Sequence, residues 1–254
     1  MTGRRGGDRI LPPARSPEEP RALHDVTIPR ETLESVERRR GVVHPFARFE
    51  PARAALVVVD MQNTFVAPGG LAEVPGARAI VPNINRIAGL LRASAGTVVW
   101  IRGHVESRRG PWSLYLRHFE RAPDAWRAAL APGSEGWQLY PELEMRAGDL
   151  FVDKDRYSAF YGPDDLDGQL RARGIETVIV CGTLTSSCCE STARDAMQHD
   201  YATIMVLDGN AGKTDAQHLN TMCNFLMSFG DVLTTAEICD HVESCLGARA
   251  AAAR

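Results

Sequence analysis

The sequence predicts an α/β fold, a three-layer αβα sandwich around a mostly parallel central sheet. Three observations carry that reading. Six short β-branched apolar runs, at 55–59, 97–101, 149–152, 177–181, 203–207 and 231–234, are nearly continuous in apolar character, as strands are when helices cover both faces of a sheet. The segments between them at 78–94, 166–173, 188–199 and 215–229 have helical period and length. Strand–helix alternation of this kind implies right-handed crossovers and parallel pairing.

Composition sets the frame for this fold. The chain has 254 residues and a formal charge of -3, a mass of 27.8 kDa, a pI near 6.2 and a mean hydropathy of -0.20. That is one sizeable domain of ordinary globular composition. No apolar run approaches the ~20 residues of a membrane helix. The charge gives no reason to expect a nucleic-acid or membrane partner. The six cysteines all fall in the last third of the chain and show neither C-x-x-C spacing nor Cys/His pairing at zinc spacing, so neither a disulfide framework nor a metal site is expected. A charged N-terminus with no apolar run behind it argues against a secretory signal, and the expectation is a cytoplasmic protein with reduced thiols.

Along the chain, residues 1–50 hold ten Arg, eight acids and six Pro and are expected to form an N-terminal arm, loose to about Pro29, with a short helix near 31–40. The run Glu37-Arg38-Arg39-Arg40 reads as a solvated face. Residues 51–246 form the expected catalytic domain, and 247–254 a disordered tail. The first strand ends at Asp60 and the second runs into Arg102-Gly103-His104. A long insertion, 103–148, is expected to supply part of a pocket wall. The third strand ends at Lys154. The fourth leads through Gly182-Thr183-Leu184-Thr185-Ser186-Ser187, a turn of small polar residues, into a helix opened by Cys188.

In a doubly wound sheet, ligands bind outside the carboxyl ends of the strands, where Asp60, Arg102-Gly103-His104, Asp153-Lys154, Gly182-Thr183 and Asp208 fall; Asp60, Lys154 and the nearby Cys188 are weighed for chemistry. Taken alone, Asp60 is either a base tuned by partial burial or a turn cap, and Lys154 is either catalytic or an ordinary surface lysine. For Cys188, backbone N–H groups at a helix start favour a thiolate and can form an oxyanion hole. Cys189 aligns with Ala193, Ala196 and Met197 on an apolar stripe and reads as core. Arg102, His104, Arg108 and Arg109 read as solvated loop charges, with contact to an anionic substrate group as the alternative.

Three blocks, Val57-Val58-Val59-Asp60-Met61-Gln62-Asn63-Thr64-Phe65, Phe151-Val152-Asp153-Lys154 and Cys181-Gly182-Thr183-Leu184-Thr185-Ser186-Ser187-Cys188-Cys189-Glu190-Ser191-Thr192-Ala193-Arg194-Asp195-Ala196, resemble the motifs of the isochorismatase-like cysteine hydrolases. The likeness covers about 53–240. It implies a Rossmann-like topology, an Asp–Lys–Cys triad at Asp60, Lys154 and Cys188, and an oxyanion hole from the backbone N–H groups of Leu184 and Cys188. It also implies a cis peptide at Thr183–Leu184, a thioester on Cys188 and no cofactor. The segment Arg156-Tyr157-Ser158-Ala159-Phe160 resembles the ureidoacrylate and N-carbamoylsarcosine amidohydrolase branch. Its implied substrate is a small amide, carbamoyl or ureido compound, with Asn63, Phe65, Tyr157, Phe160 and Thr183 lining the pocket. Relatives of this kind are commonly homo-oligomers, dimers or tetramers.

The chain also departs from parts of the family. The Asp-x-His pair of metal-dependent nicotinamidases is absent at Arg102-Gly103-His104, so no metal is expected. An isochorismatase acting on a vinyl ether would leave Cys188 superfluous. Ser186-Ser187 replaces the Thr/Asn-Val of many members. The remaining alternatives are a vinyl ether hydrolase and a catalytically silent flavodoxin-like binding protein.

Overall fold

A computed structural model describes residues 23–105, 113–118 and 121–252. The expectations placed on residues 1–22, on Arg108 and Arg109, and on residues 253–254 lie outside these. In chain order the elements are α1 (Arg30–Arg40), β1 (Ala54–Val59), α2 (Asn63–Val66), α3 (Val81–Ala93), β2 (Thr97–Gly103), α4 (Ser113–His118), α5 (Pro123–Ala129), β3 (Leu150–Lys154), α6 (Leu166–Ala172) and β4 (Thr177–Thr183). A π-helical turn (Thr185–Cys189) then precedes α7 (Glu190–Gln198), β5 (Ala202–Ala211), α8 (Asp215–Ser228), β6 (Asp231–Leu233) and α9 (Thr235–Ala252).

The six strands form one sheet in the order β3-β2-β1-β4-β5-β6, and every pairing is parallel. The expected three-layer sandwich is present. β1 shows why the strands read as unbroken apolar runs. Leu56 and Val58 face one layer with Ile84 and Ile87 of α3 and Ile238 of α9, while Ala55, Val57 and Val59 face the other with Leu170, Ala193 and Phe225. With both faces covered, each of the larger side chains here contributes about 1.5–3 kcal/mol of transfer free energy, the alanines less. The chain winds from β1 toward β3 and then crosses back to β4, which places the switch point between β1 and β4, and ligands bind outside such a crevice.

Helix ends follow local chemistry. The Asp165 carboxylate accepts from Gly168 N–H at 2.9 Å and caps α6, and Thr214 Oγ1 accepts from Gln217 N–H at 3.2 Å and caps α8. Gly41, at φ 78°, closes α1.

The run Glu37-Arg38-Arg39-Arg40 is exposed up to its last residue, as a solvated face is, and it also makes contacts, since Arg39 donates to the Met227 carbonyl and the half-buried Arg40 to the Gly230 carbonyl at 3.0 Å, so both tie α1 to the end of α8. One expectation is corrected here. Residues 247–252, expected as a disordered tail, continue α9; Arg249 pairs with Glu50 and fastens the last turns to the body. No described helix is long and apolar enough to cross a membrane, and all six cysteines are free.

Candidate active site

Asp60 follows β1 with φ 50°, in the left-handed region that Asp tolerates better than most residues. Its N–H donates to the Ile101 carbonyl at 3.2 Å. Thr183 Oγ1 donates to the Asp60 carbonyl at 3.1 Å, joining the tips of β1 and β4. Gly182, at φ 124°, lets those tips approach, since a Cβ there would fall 2.1 Å from the Val59 carbonyl oxygen. The Thr183–Leu184 peptide is cis.

Lys154 ends β3 and is 3% exposed. Its Nζ lies 2.8 Å from Asp60 Oδ2, 3.5 Å from Cys188 Sγ and 2.9 Å from the Arg156 carbonyl. The ends of β1 and β3 and the turn after β4 thus bring a carboxylate, an ammonium and a thiol to one spot. Burial disfavours the Lys154 charge, yet the Asp60 carboxylate and the Cys188 sulfur outweigh burial and hold the ammonium above the ordinary lysine value. Burying such a pair is costly unless it is mutually satisfied. The second carboxylate oxygen, Asp60 Oδ1, is buried without a hydrogen-bond partner and sits 3.0 Å from where a Cβ on Gly103 would stand.

The thiol differs from expectation. The sequence places a helix start at this thiol, which favours the thiolate. Instead, burial pushes the Cys188 thiol well above its ordinary value, Asp60 adds to the rise, and Lys154 opposes both. Geometry explains part of this: Cys188 lies within the π-helical turn, and α7 begins only at Glu190. The resting form is therefore a neutral thiol beside an ion pair. Cys189 is fully buried with Ala193 and Ala196, as the apolar stripe requires. Thr192 Oγ1 donates to the Cys188 carbonyl at 2.7 Å and accepts from Ala159 N–H at 3.0 Å, so the 156–160 segment is braced against the turn.

A pocket of about 230 Å³ opens over this cluster, and Phe65, Tyr157, Thr183 and Leu184 line it. Two expected pocket residues are elsewhere. Asn63 Nδ2 donates to the Glu135 carbonyl at 2.9 Å and ties α2 to the insertion. Phe160 stacks on His199, with ring centroids 4.9 Å apart, and packs into the core layer beneath α7.

Among the four basic candidates, Arg102 pairs with Asp153 at 2.8 Å and lies over Trp137. His104 lines the pocket, and its Nδ1 is buried without a partner. The insertion contributes Val105, Tyr115, Trp126 and Leu130, and the loop after β5 contributes Lys213, none of them singled out from sequence. Gln62, also missed, is fully buried. It donates to the Gly103 carbonyl at 3.0 Å and to the Trp137 carbonyl at 2.9 Å, accepts from Gly103 N–H at 2.8 Å, and so fastens the insertion to β2. Its place two residues past Asp60 was the available signal. Among the described residues no group of His, Cys, Asp and Glu is arranged to hold a metal.

Residues 54–237 match the Isochorismatase domain model. The chain belongs to the isochorismatase family. It is 34% identical over 232 residues to ureidoacrylate amidohydrolase RutB of Methylobacterium radiotolerans, covering 83% of this chain and 87% of that protein. The cysteine hydrolase of Pseudomonas syringae pv. phaseolicola superposes with a TM-score of 0.70 at 32% identity, covering 77% of this chain and 95% of the other. N-carbamoylsarcosine amidase of Thermoplasma acidophilum superposes with a TM-score of 0.59 at 28% identity, covering 72% and 96%. Within the family, this chain is a hydrolase related to the cysteine hydrolases.

Proposed function

We propose that this isochorismatase-family protein is a metal-independent amidohydrolase, which cleaves the C–N bond of a small amide, carbamoyl or ureido compound through a thioester on Cys188. One observation carries the reading: a buried carboxylate and a buried ammonium meet a half-buried thiol at the floor of a small pocket. Because the thiol rests neutral, its proton must leave as the sulfur attacks, and Asp60 is the base beside it. The Cys188 sulfur bonds to the substrate carbonyl carbon, and the oxyanion is held by the N–H groups of Leu184 and Cys188. Collapse expels the amine with the proton that Asp60 took, leaving an acyl thioester. Water, deprotonated by Asp60, then attacks the thioester carbonyl, and the thiol recovers its proton as the acid leaves. Lys154 stays an ammonium throughout and offsets the negative charge as it moves from oxygen to sulfur.

The pocket admits small molecules only, with Phe65, Tyr115 and Trp126 as apolar walls and His104 and Lys213 as polar groups. The relatives named for ureidoacrylate and N-carbamoylsarcosine support a carbamoyl or ureido substrate. The test is ammonia release from ureidoacrylate, N-carbamoylsarcosine and simple amides by the wild type and Cys188→Ala, with intact-protein mass spectrometry for the acyl adduct. An adduct on Cys188 and an inert variant are expected. Undiminished turnover by Cys188→Ala would overturn the mechanism.

A further inference from the structure

The N-terminal arm, whose purpose the sequence does not reveal, reaches the back of the active site through one side chain. His24 stacks on His218 of α8, with ring centroids 4.1 Å apart and planes 19° from parallel. Its Nδ1 lies 2.6 Å from Asp215 Oδ1, and its Nε2 accepts from Gly212 N–H at 2.8 Å. That pattern fixes the tautomer, with Nδ1 donating to the carboxylate and Nε2 accepting from the amide. His218 and Thr185 are both fully buried, and His218 Nδ1 is 2.8 Å from Thr185 Oγ1. Thr185 opens the π-helical turn that carries Cys188, and Gly212 precedes Lys213, which lines the pocket.

We propose that the stacked pair His24–His218 positions the active site from behind. His218 holds the nucleophile turn through Thr185, and the arm's His24 holds the Gly212–Lys213 loop while clamping His218 in place. Neither ring touches the reacting atoms, so both are positioning residues. The proposal rests on Cys188 being the nucleophile. The stack presses two imidazoles face to face, which disfavours charge on both at once, and burial of His218 followed by the neighbouring His24 keeps that ring uncharged, with its pKa lowered to about 4. The arrangement spends a buried polar side chain and an Asp-held histidine on two short loops, both of which end at the pocket. Simple packing of α8 would be served as well by leucine.

The test uses the full chain and needs no substrate. Iodoacetamide alkylation of Cys188, followed by mass spectrometry, reports the turn, and hydrogen exchange of the 207–214 segment reports the loop. His218→Leu should slow alkylation about tenfold, the factor set by losing one well-placed hydrogen bond, and His218→Asn, which restores a polar atom near Nδ1, should recover most of it. His24→Ala should speed exchange at Gly212 about tenfold on the same basis, and His24→Gln, whose amide oxygen can accept from Gly212 N–H, should reverse this. Wild-type alkylation rates in His218→Leu, or unchanged exchange in His24→Ala, would overturn the positioning role, as would equal loss in the conservative variants. If wild-type Cys188 alkylates too slowly to follow, as its raised thiol favours, exchange of the 183–189 and 207–214 segments in the same variants decides what the pair holds, and the nucleophile reading fails separately, on undiminished turnover by Cys188→Ala.

Discussion

At the scale of single residues, the cluster makes opposite demands on Asp60. Its charge raises the Cys188 thiol, which depresses idle reactivity, yet the same carboxylate is the base in the proposed mechanism. Asp60→Asn should therefore abolish ammonia release while speeding iodoacetamide alkylation at neutral pH, by about tenfold for each unit the thiol falls, since Lys154 is then the main charge the sulfur meets. Slower alkylation in that variant would contradict the electrostatics. Lys154→Met should do the reverse to the thiol and also strand a buried carboxylate, at a cost of about 3–5 kcal/mol, measurable as a lower urea midpoint. The proposed triad's positions were legible because Asp60 and Lys154 stand at strand ends and Cys188 in the turn after β4, at the edge where doubly wound sheets bind ligands. The sign of the thiol shift was not, because the depth of burial and the distance to Asp60 depend on how β1, β3 and β4 converge. Asn63 and Phe160 were misplaced for a related reason. Sequence proximity to a catalytic residue says nothing of which way a side chain turns once Glu135 or His199 competes for it.

Among the elements, the strand tips set the precision of the site, and two glycines separate stability from chemistry. Gly182→Ala combines positive φ with a Cβ in backbone contact and should destabilise by about 2–4 kcal/mol, or fail to fold. At Gly103→Ala the nearest atoms a Cβ meets belong to the side chains of Asp60 and Gln62 and not to backbone, so its melting temperature should stay close to that of the wild type while kcat drops about tenfold as the carboxylate is nudged. Equal effects of both on melting would show that Gly103 is a folding position. The strands were readable from their apolar runs to within a few residues, as at β1, β2 and β4, because double-sided burial leaves little choice of side chain. The insertion was not. α4 and α5 are short, and their contribution of Tyr115, Trp126 and Leu130 to the pocket depends on long-range packing over β1 and β2, with Gln62 as the fastener. α9 outran its expected end because a single ion pair to Glu50 secures an alanine-rich segment.

For the molecule as a whole, the neutral His218 makes stability depend on acid. Its folded pKa lies near 4, below the unfolded value of about 6.5, so the unfolded chain binds the extra proton first. The associated stability is fully present above about pH 6.5 and is lost as pH falls toward about 4, on the order of 3 kcal/mol in total. Urea unfolding across that window should show uptake of one proton in the wild type that His218→Asn lacks. A pH slope unchanged by the substitution would place the acid sensitivity elsewhere.

The sheet order has a consequence for how this enzyme would wear out. β3 pairs with β2 alone and forms an outer edge of the sheet, and edge elements open at lower free energy than the interior. Lys154 rides on that edge, whereas Asp60 and Cys188 sit on the central pair β1 and β4. A brief peeling of β3 therefore withdraws the ammonium and leaves a thiol facing a bare carboxylate, while the remaining strands and both apolar layers stay closed. Loss of turnover under mild urea should precede the loss of circular dichroism and reverse on dilution. The working life of the catalyst would then be set by its least protected strand and not by the strength of its core.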